Sequence, residues 1–176
     1  LIIMRILIYL ILLLYPFSLL PAASGGKKEK SLSDEELMTL VQKQTFRYFW
    51  DYGHPVSGLA RERSNGSDDI VTIGGSGFGV MAIIVGAERG FVTREQAAER
   101  MLKIVRFLSD KGTDSYHGIW AHWMDGQTGK AVPFSRKDDG ADLVESAFMF
   151  EGLLAAHQYF DKDTPVERNI RGIING

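Results

Sequence analysis

Residues 73–90 read IGGSGFGVMAIIVGAERG, and apolar side chains fall on every face of the helix that this segment predicts. A helix that is apolar all round is enclosed by other parts of a fold. Gly90 is a predicted helix terminator, and no Lys-Ser/Thr pair follows GGSGFG. We therefore interpret these glycines as close helix packing and not as a phosphate-binding loop. The apolar residues are Phe78, Val80, Met81, Ile83, Ile84 and Val85.

The predicted helices on either side of this segment are amphipathic. One begins at Ser33 and the other at Thr93, and each start forms a capping box because Glu36 or Gln96 follows three residues later. Each helix has an apolar stripe and a solvent-facing side. The first stripe is Leu37, Leu40, Val41, Gln44 and Tyr48, and the second is Ala97, Met101, Ile104, Val105 and Leu108.

A further predicted helix, from about Ala141 to Phe160, is again apolar almost all round. The order along the chain is therefore amphipathic, enclosed, amphipathic, enclosed. In a toroid of helical hairpins, outer helices expose one face and inner helices line the core. We predict an all-α fold, an α/α barrel, although a plain bundle of helical hairpins would give the same order.

The segment between the last two helices predicts a short β-hairpin insertion. Residues 119–134 read IWAHWMDGQTGKAVPF, in which Trp120, His122 and Met124 alternate with their neighbours. DGQTG is a turn signal. The hairpin would carry two tryptophans and a histidine, and it leads directly to an acidic stretch.

Composition excludes several classes of function. The 176 residues have a formal net charge of −2, which gives no reason to expect a nucleic-acid partner. The absence of cysteine excludes a disulfide framework, a thiolate zinc site and a cysteine nucleophile. The four histidines are too scattered for a local metal motif, so neither a metal nor another cofactor is predicted.

The N-terminus has the pattern of a secretory signal peptide. Arg5 precedes an apolar run that ends at Leu20, and PAASGG follows. The run is short for a spanning helix, with a retained membrane anchor as the alternative. We predict a signal peptide at 1–24, a flexible linker at 25–32 and a folded helical domain at 33–176. The protein would be secreted or periplasmic, without membrane contact after cleavage.

The acidic stretch at 137–146, KDDGADLVES, has two interpretations. Aspartates stabilise a helix N-terminus as caps and by complementing its dipole. Alternatively, a helix that includes Asp138, Asp142 and Glu145 places all three carboxylates on one face. Glu145 lies among apolar neighbours, where an unpaired carboxylate is costly, so it needs a partner or a solvated cavity. Acids beside tryptophans in an exported protein favour a carbohydrate site.

Four segments together resemble the glycoamylase-like family of secreted bacterial proteins. They are TFRYFWDYG…GLARERS, the helical residues 73–108, HGIWAHWMDGQTGKAVPF and DDGADLVESAFMFEGLLAA. The chain is similar to the endo-β-1,2-glucanases of that family over about Thr45 to Phe160. The resemblance implies an (α/α)6 barrel and an oligo- or polysaccharide substrate, a β-glucan with β-1,2 linkages.

The resemblance also implies roles for individual residues. Glu145 would act directly by general acid–base catalysis, in a cleft that it lines together with other acids. The candidate catalytic residues are Glu145, Asp142 and Asp138. The candidate substrate-binding residues are Trp120, His122, Trp123 and Arg61. For Arg61, a merely exposed charged loop is the alternative interpretation.

Members of the family are much longer than this chain. The resemblance therefore implies an N-terminal piece of a barrel that lacks the second catalytic carboxylate, is inactive alone and exposes apolar patches on its enclosed helices. An inverting mechanism is implied only by the relatives. Two other hypotheses stay open. The chain could belong to a non-catalytic carbohydrate-binding or transport-associated surface protein, or it could be a degenerate gene product without function.

Overall fold

The computed structural model describes residues 31–176, and its helices and strands lie between Asp34 and Gly176. The predicted signal peptide, and the linker up to residue 30, lie outside the described residues. None of the described helices is long and apolar enough to cross a membrane. The elements in chain order are α1 (Asp34–Asp51), β1 (Ile70–Thr72), α2 (Ile73–Glu88), α3 (Arg94–Ser109), β2 (Trp123–Asp125), β3 (Ala131–Val132), α4 (Leu143–Tyr159) and α5 (Pro165–Asn175).

The fold is helical with a small antiparallel sheet of three strands in the order β1-β2-β3. The predicted hairpin is confirmed as β2 and β3, with Trp123 opposite Val132. Strand β1 was not predicted; it pairs with β2, with Ile70 opposite Asp125, and leads without a break into α2. A strand of three residues is too short to show an alternating pattern.

Helices α2 and α4 cross closely because glycines lie at their contact. A Cβ atom added at Gly152 would lie 2.7 Å from the carbonyl oxygen of Gly77. A Cβ atom added at Gly77 would collide with the backbone of Phe148. The interpretation of the glycines of α2 as helix packing is therefore confirmed at Gly77.

The two amphipathic helices differ in how well the sequence predicts their buried faces. All five stripe residues predicted for α3 are buried, and Thr93 and Gln96 form the capping box. The stripe predicted for α1 is wrong, because Leu37, Leu40 and Val41 are exposed. Phe46 is the buried residue of α1, and its ring fills the space that Gly86 leaves open on α2.

Helices α2 and α4, which the sequence predicts to be enclosed, each expose apolar side chains on one side in the described part of the chain. This exposure agrees with the apolar patches that the resemblance implies for α2 and α4. The exposed large apolar side chains are Phe78, Met81 and Val85 on α2, and Leu143, Val144, Phe148, Phe150 and Leu154 on α4.

Helix α5 was not predicted, although its start carries two clear signals. The Thr164 side chain accepts a hydrogen bond from the backbone N–H of Glu167, and Pro165 occupies the first turn. The guanidinium of Arg94 donates to both carboxylate oxygens of Glu167, each at 2.9 Å. This ion pair ties the start of α3 to α5.

Candidate functional site

The carboxylate of Glu145 reaches from α4 to the N-terminal end of α2. The backbone N–H of Gly74 donates to its Oε2 at 2.9 Å, and the Thr72 hydroxyl lies 3.2 Å from the same oxygen. A Cβ atom added at Gly74 would lie 2.5 Å from Oε2, so a side chain at this position would displace the Glu145 carboxylate. Within the described residues Oε1 accepts no hydrogen bond. The Glu145 carboxyl group is therefore held through one of its two oxygens.

Asp142 is the N-cap of α4. Its Oδ1 accepts from the backbone N–H groups of Val144 at 2.9 Å and Glu145 at 3.0 Å. Its Oδ2 lies 3.2 Å from Nδ1 of His122. The Glu145 N–H is the largest cause that lowers the pKa of Asp142; burial opposes it, and His122 and the Val144 N–H add to the lowering. Asp142 is therefore both a cap and an ionised neighbour of Glu145.

Asp138 does not share a helix face with Asp142 and Glu145. The prediction of a shared face is wrong because α4 begins at Leu143, after a loop. Asp138 is exposed in a turn, where its backbone exchanges hydrogen bonds with Ser135 at 3.0 and 3.2 Å. Its part in a sugar site stays a prediction.

His122 belongs to an aromatic cluster beside Asp142. The ring of Phe134 lies 4.6 Å from the ring of His122 and 4.7 Å from that of Trp123, centroid to centroid. The structure thus places His122 and Trp123, two of the predicted substrate-binding residues, in one cluster beside the predicted carboxylate of Asp142. Phe134 was missed by sequence reasoning, although it closes the return strand of the hairpin.

Trp120 has a different position from its two predicted partners. It is 8% exposed, and its ring packs 5.2 Å from that of Phe150. The Ser146 hydroxyl accepts from the Trp120 N–H at 3.0 Å, and the Asp142 N–H donates to the Trp120 carbonyl at 2.8 Å. Trp120 therefore anchors the hairpin to α4, and its buried ring does not form an open wall in the described residues.

The loop around Arg61 lies next to β1, because Arg61 forms an antiparallel bridge with Val71. The Arg61 guanidinium pairs with Asp68 at 3.1 Å, and its Nε has no hydrogen-bond partner among the described residues. Arg63 is the largest cause that lowers the pKa of Glu62; burial opposes it, and His122 contributes a smaller attraction. Glu62, which the sequence did not single out as a site residue, is thus an acidic neighbour of His122.

The described residues contain no group of three or more His, Asp or Glu side chains that could hold a metal ion. The chemistry that the site offers is that of carboxylates. Asp142 and Glu145 both lie at the N-terminal end of α4, while His122, Trp123 and Phe134 supply rings beside Asp142. Carboxylates that bind hydroxyl groups, next to flat apolar rings, are typical of a carbohydrate site.

Known proteins resemble the chain over most of its length. A crystal structure of a provisionally assigned glucoamylase from Bacteroides uniformis is 83% identical, with a TM-score of 0.82, over 84% of this chain and 36% of that one. The chain is a homologue of the glucoamylase-like proteins. The glycoamylase-like resemblance predicted from the sequence is thereby confirmed.

Two further homologues have more specific names. An exo-β-1,2-glucooligosaccharide sophorohydrolase of Parabacteroides distasonis is 49% identical over 145 residues, which are 82% of this chain and 20% of that protein. An endo-β-1,2-glucanase of Chitinophaga pinensis, solved with sophorotriose and glucose, is 47% identical with a TM-score of 0.77, over 82% of this chain and 36% of that one. No protein-family model matches the chain. The chain thus spans between a fifth and about a third of the length of these homologues.

Proposed function

We propose that this chain is the N-terminal part of a secreted or periplasmic glycoside hydrolase that cleaves a β-1,2-linked glucan by carboxylate general acid–base catalysis. In this proposal its helices form part of an (α/α)6 barrel. The observation that carries the proposal is the pair of carboxylates at the N-terminal end of α4, with Asp142 as its cap and Glu145 bonded to the N-terminal end of α2. The homologues named as β-1,2-glucan-cleaving enzymes support the substrate class.

Glu145 is the proton-transferring group in this mechanism. Its Oε2 is held by Gly74 and Thr72, so the carboxyl group is positioned before substrate binds. Its Oε1 exchanges a proton with the glycosidic oxygen or with a water molecule. Asp142 stays ionised and stabilises the positive charge that develops on the sugar ring.

A second carboxylate must face Glu145 across the scissile bond, because hydrolysis uses two groups on opposite sides. Asp142 and Glu145 start from one end of one helix, so they do not flank a bond in this way. We place the opposite carboxylate outside these 176 residues. The chain alone is then expected to bind a β-glucan fragment without cleaving it.

The test is a chimera in which residues 34–160 replace the matching segment of the Chitinophaga pinensis endo-β-1,2-glucanase. The chimera is expected to cleave β-1,2-glucan. Glu145→Gln in the chimera should lower kcat by about 100-fold or more while sugar binding is kept. The matched control is Glu151→Gln, an exposed glutamate on the same helix. A folded chimera that cleaves equally well with Glu145→Gln would contradict the role of Glu145.

One observation favours a non-catalytic carbohydrate-binding protein as the second candidate. Both oxygens of Asp142 already have partners within the chain, Oδ1 as a helix cap and Oδ2 beside His122. Asp142 could therefore serve structure alone. A chimera that binds sophorotriose but never cleaves a β-1,2-glucan would favour this candidate.

A further inference from the structure

Phe134 is an exposed ring held in a fixed position. Its side chain is 49% exposed, although a phenylalanine usually lies in a core. Its ring packs against His122 at 4.6 Å and Trp123 at 4.7 Å, with 46° between the ring planes in both cases. One part of the ring is thus supported by two other rings, and the rest faces solvent.

The backbone fixes Phe134 as well. Its N–H donates to the carbonyl of Asp138 at 2.8 Å, which closes the turn that carries Asp138. Strand β3 ends two residues earlier, and Pro133 between them restricts the chain. A ring that is ordered before a ligand arrives costs little conformational entropy on binding.

Phe134 is linked by contacts to the predicted catalytic carboxylates. Its ring touches the ring of His122, whose Nδ1 lies 3.2 Å from Oδ2 of Asp142. Asp142 in turn accepts from the N–H of Glu145 at 3.0 Å. Phe134 is therefore separated from the Asp142 carboxylate by one side chain, that of His122.

We infer that Phe134, supported by Trp123 and His122, is a sugar-binding platform that stacks on one glucose unit of the β-1,2-linked chain. The apolar face of a pyranose ring matches a flat aromatic ring, and the neighbouring carboxylates bind its hydroxyl groups. This inference rests on the proposed function and adds a residue that fixes where the substrate lies. It does not depend on whether cleavage occurs.

Calorimetric titration of the full 176-residue chain with sophorotriose measures the binding affinity. Phe134→Leu keeps an apolar side chain but removes the aromatic face, and Phe134→Tyr keeps that face. The matched control is Phe78→Leu, because Phe78 is 57% exposed and packs 5.1 Å from Phe148 on α2 and α4. A thermal melt of each variant verifies that it is folded.

Stacking predicts that Phe134→Leu weakens sophorotriose binding about tenfold, while Phe134→Tyr and Phe78→Leu stay within about twofold of the parent chain. Equal binding by the parent chain and a folded Phe134→Leu variant overturns the platform but leaves the proposed function standing. An absence of binding by the folded parent chain overturns the platform on this chain. If only Phe134→Leu weakens sophorotriose binding and the chimera does not cleave β-1,2-glucan, the platform is supported and the hydrolase proposal is contradicted.

Discussion

The backbone N–H of Gly74 donates a 2.9 Å hydrogen bond to Oε2 of Glu145, so a carboxylate of α4 caps the first turn of α2. The N-cap residue of α2, Thr72, makes no side-chain cap bond of its own. The first N–H groups of a helix lack partners within that helix. Glu145 supplies one from outside, and the missing side chain at Gly74 leaves room for it. The position of the predicted catalytic group thus depends on a glycine in another helix.

Gly74→Ala is expected to lower the free energy of unfolding by about 2 kcal/mol, since the added methyl group would force Glu145 away and leave the N–H unpaired. Urea unfolding followed by circular dichroism measures it. The matched control is Gly172→Ala in α5, where an added Cβ meets nothing within 4 Å. That variant should gain about 0.5–1 kcal/mol from helix propensity. A Gly74→Ala variant as stable as the parent chain would show that this contact is not fixed.

Thr72→Val tests the second bond to Glu145. Valine keeps the shape of threonine but removes the hydroxyl group that lies 3.2 Å from Oε2. We expect a loss of about 1 kcal/mol in the free energy of unfolding. Thr72→Ser retains the hydroxyl group and should recover most of that loss. If serine and valine have the same effect, the hydroxyl group contributes nothing and the role of Thr72 is only steric.

Glu167→Ala is expected to be among the most destabilising single changes in α5. The Glu167 side chain is only 4% exposed and receives two hydrogen bonds from Arg94. Its removal leaves the partly buried guanidinium of Arg94 with only the exposed carboxylate of Asp161, at 3.0 Å, as an ionic partner, with an expected cost of about 2 kcal/mol in unfolding experiments.

The exposed pair Arg47–Asp51 is the control for this prediction, with side chains that are 57% and 45% exposed. Asp51→Ala should change the free energy of unfolding by at most about 0.5 kcal/mol. A double-mutant cycle with Arg94→Ala isolates the coupling between Arg94 and Glu167. A coupling near zero would rule out the ion pair as the link between α3 and α5.

Local patterns in the sequence were sufficient for most of the helices. The capping box at Thr93 and the stripe of α3 are both confirmed, because a box and a period of 3.6 residues are local features. The face of α1 was wrong since glycines on another helix, such as Gly86, decide which rings of α1 are buried. The hydrophobic periodicity of α1 alone does not show which of its faces is buried.

In the candidate site, too, local features were predicted from the sequence and contacts between distant residues were not. The capping role of Asp142 was one of two interpretations open from its position before α4, and the structure confirms it. The partners of Glu145 lie 71 and 73 residues away, so no spacing rule connects them. The predicted start of α4 at about Ala141 lies within two residues of the observed start at Leu143, so the alternative that extended the helix to Asp138 is wrong. The catalytic and sugar-binding roles of these residues stay predictions.

Asp142 gives the chain a defined response to acid. Its pKa is lowered in the folded state, chiefly by the Glu145 N–H, so the folded chain binds this proton more weakly than the unfolded chain does. Its stabilisation is fully present above the ordinary aspartate pKa of about 3.9 and is lost as the pH falls through the lowered value. Asp142→Asn keeps an oxygen for the cap but cannot ionise. The free energy of unfolding of the parent chain should therefore exceed that of the variant at about pH 5, and the difference should shrink towards about pH 3.

Unfolding in guanidinium chloride at several pH values measures this difference, with Asp139→Asn, a change at an exposed neighbour, as the control. A constant difference between the parent chain and Asp142→Asn would mean that the charge of Asp142 does not stabilise the fold.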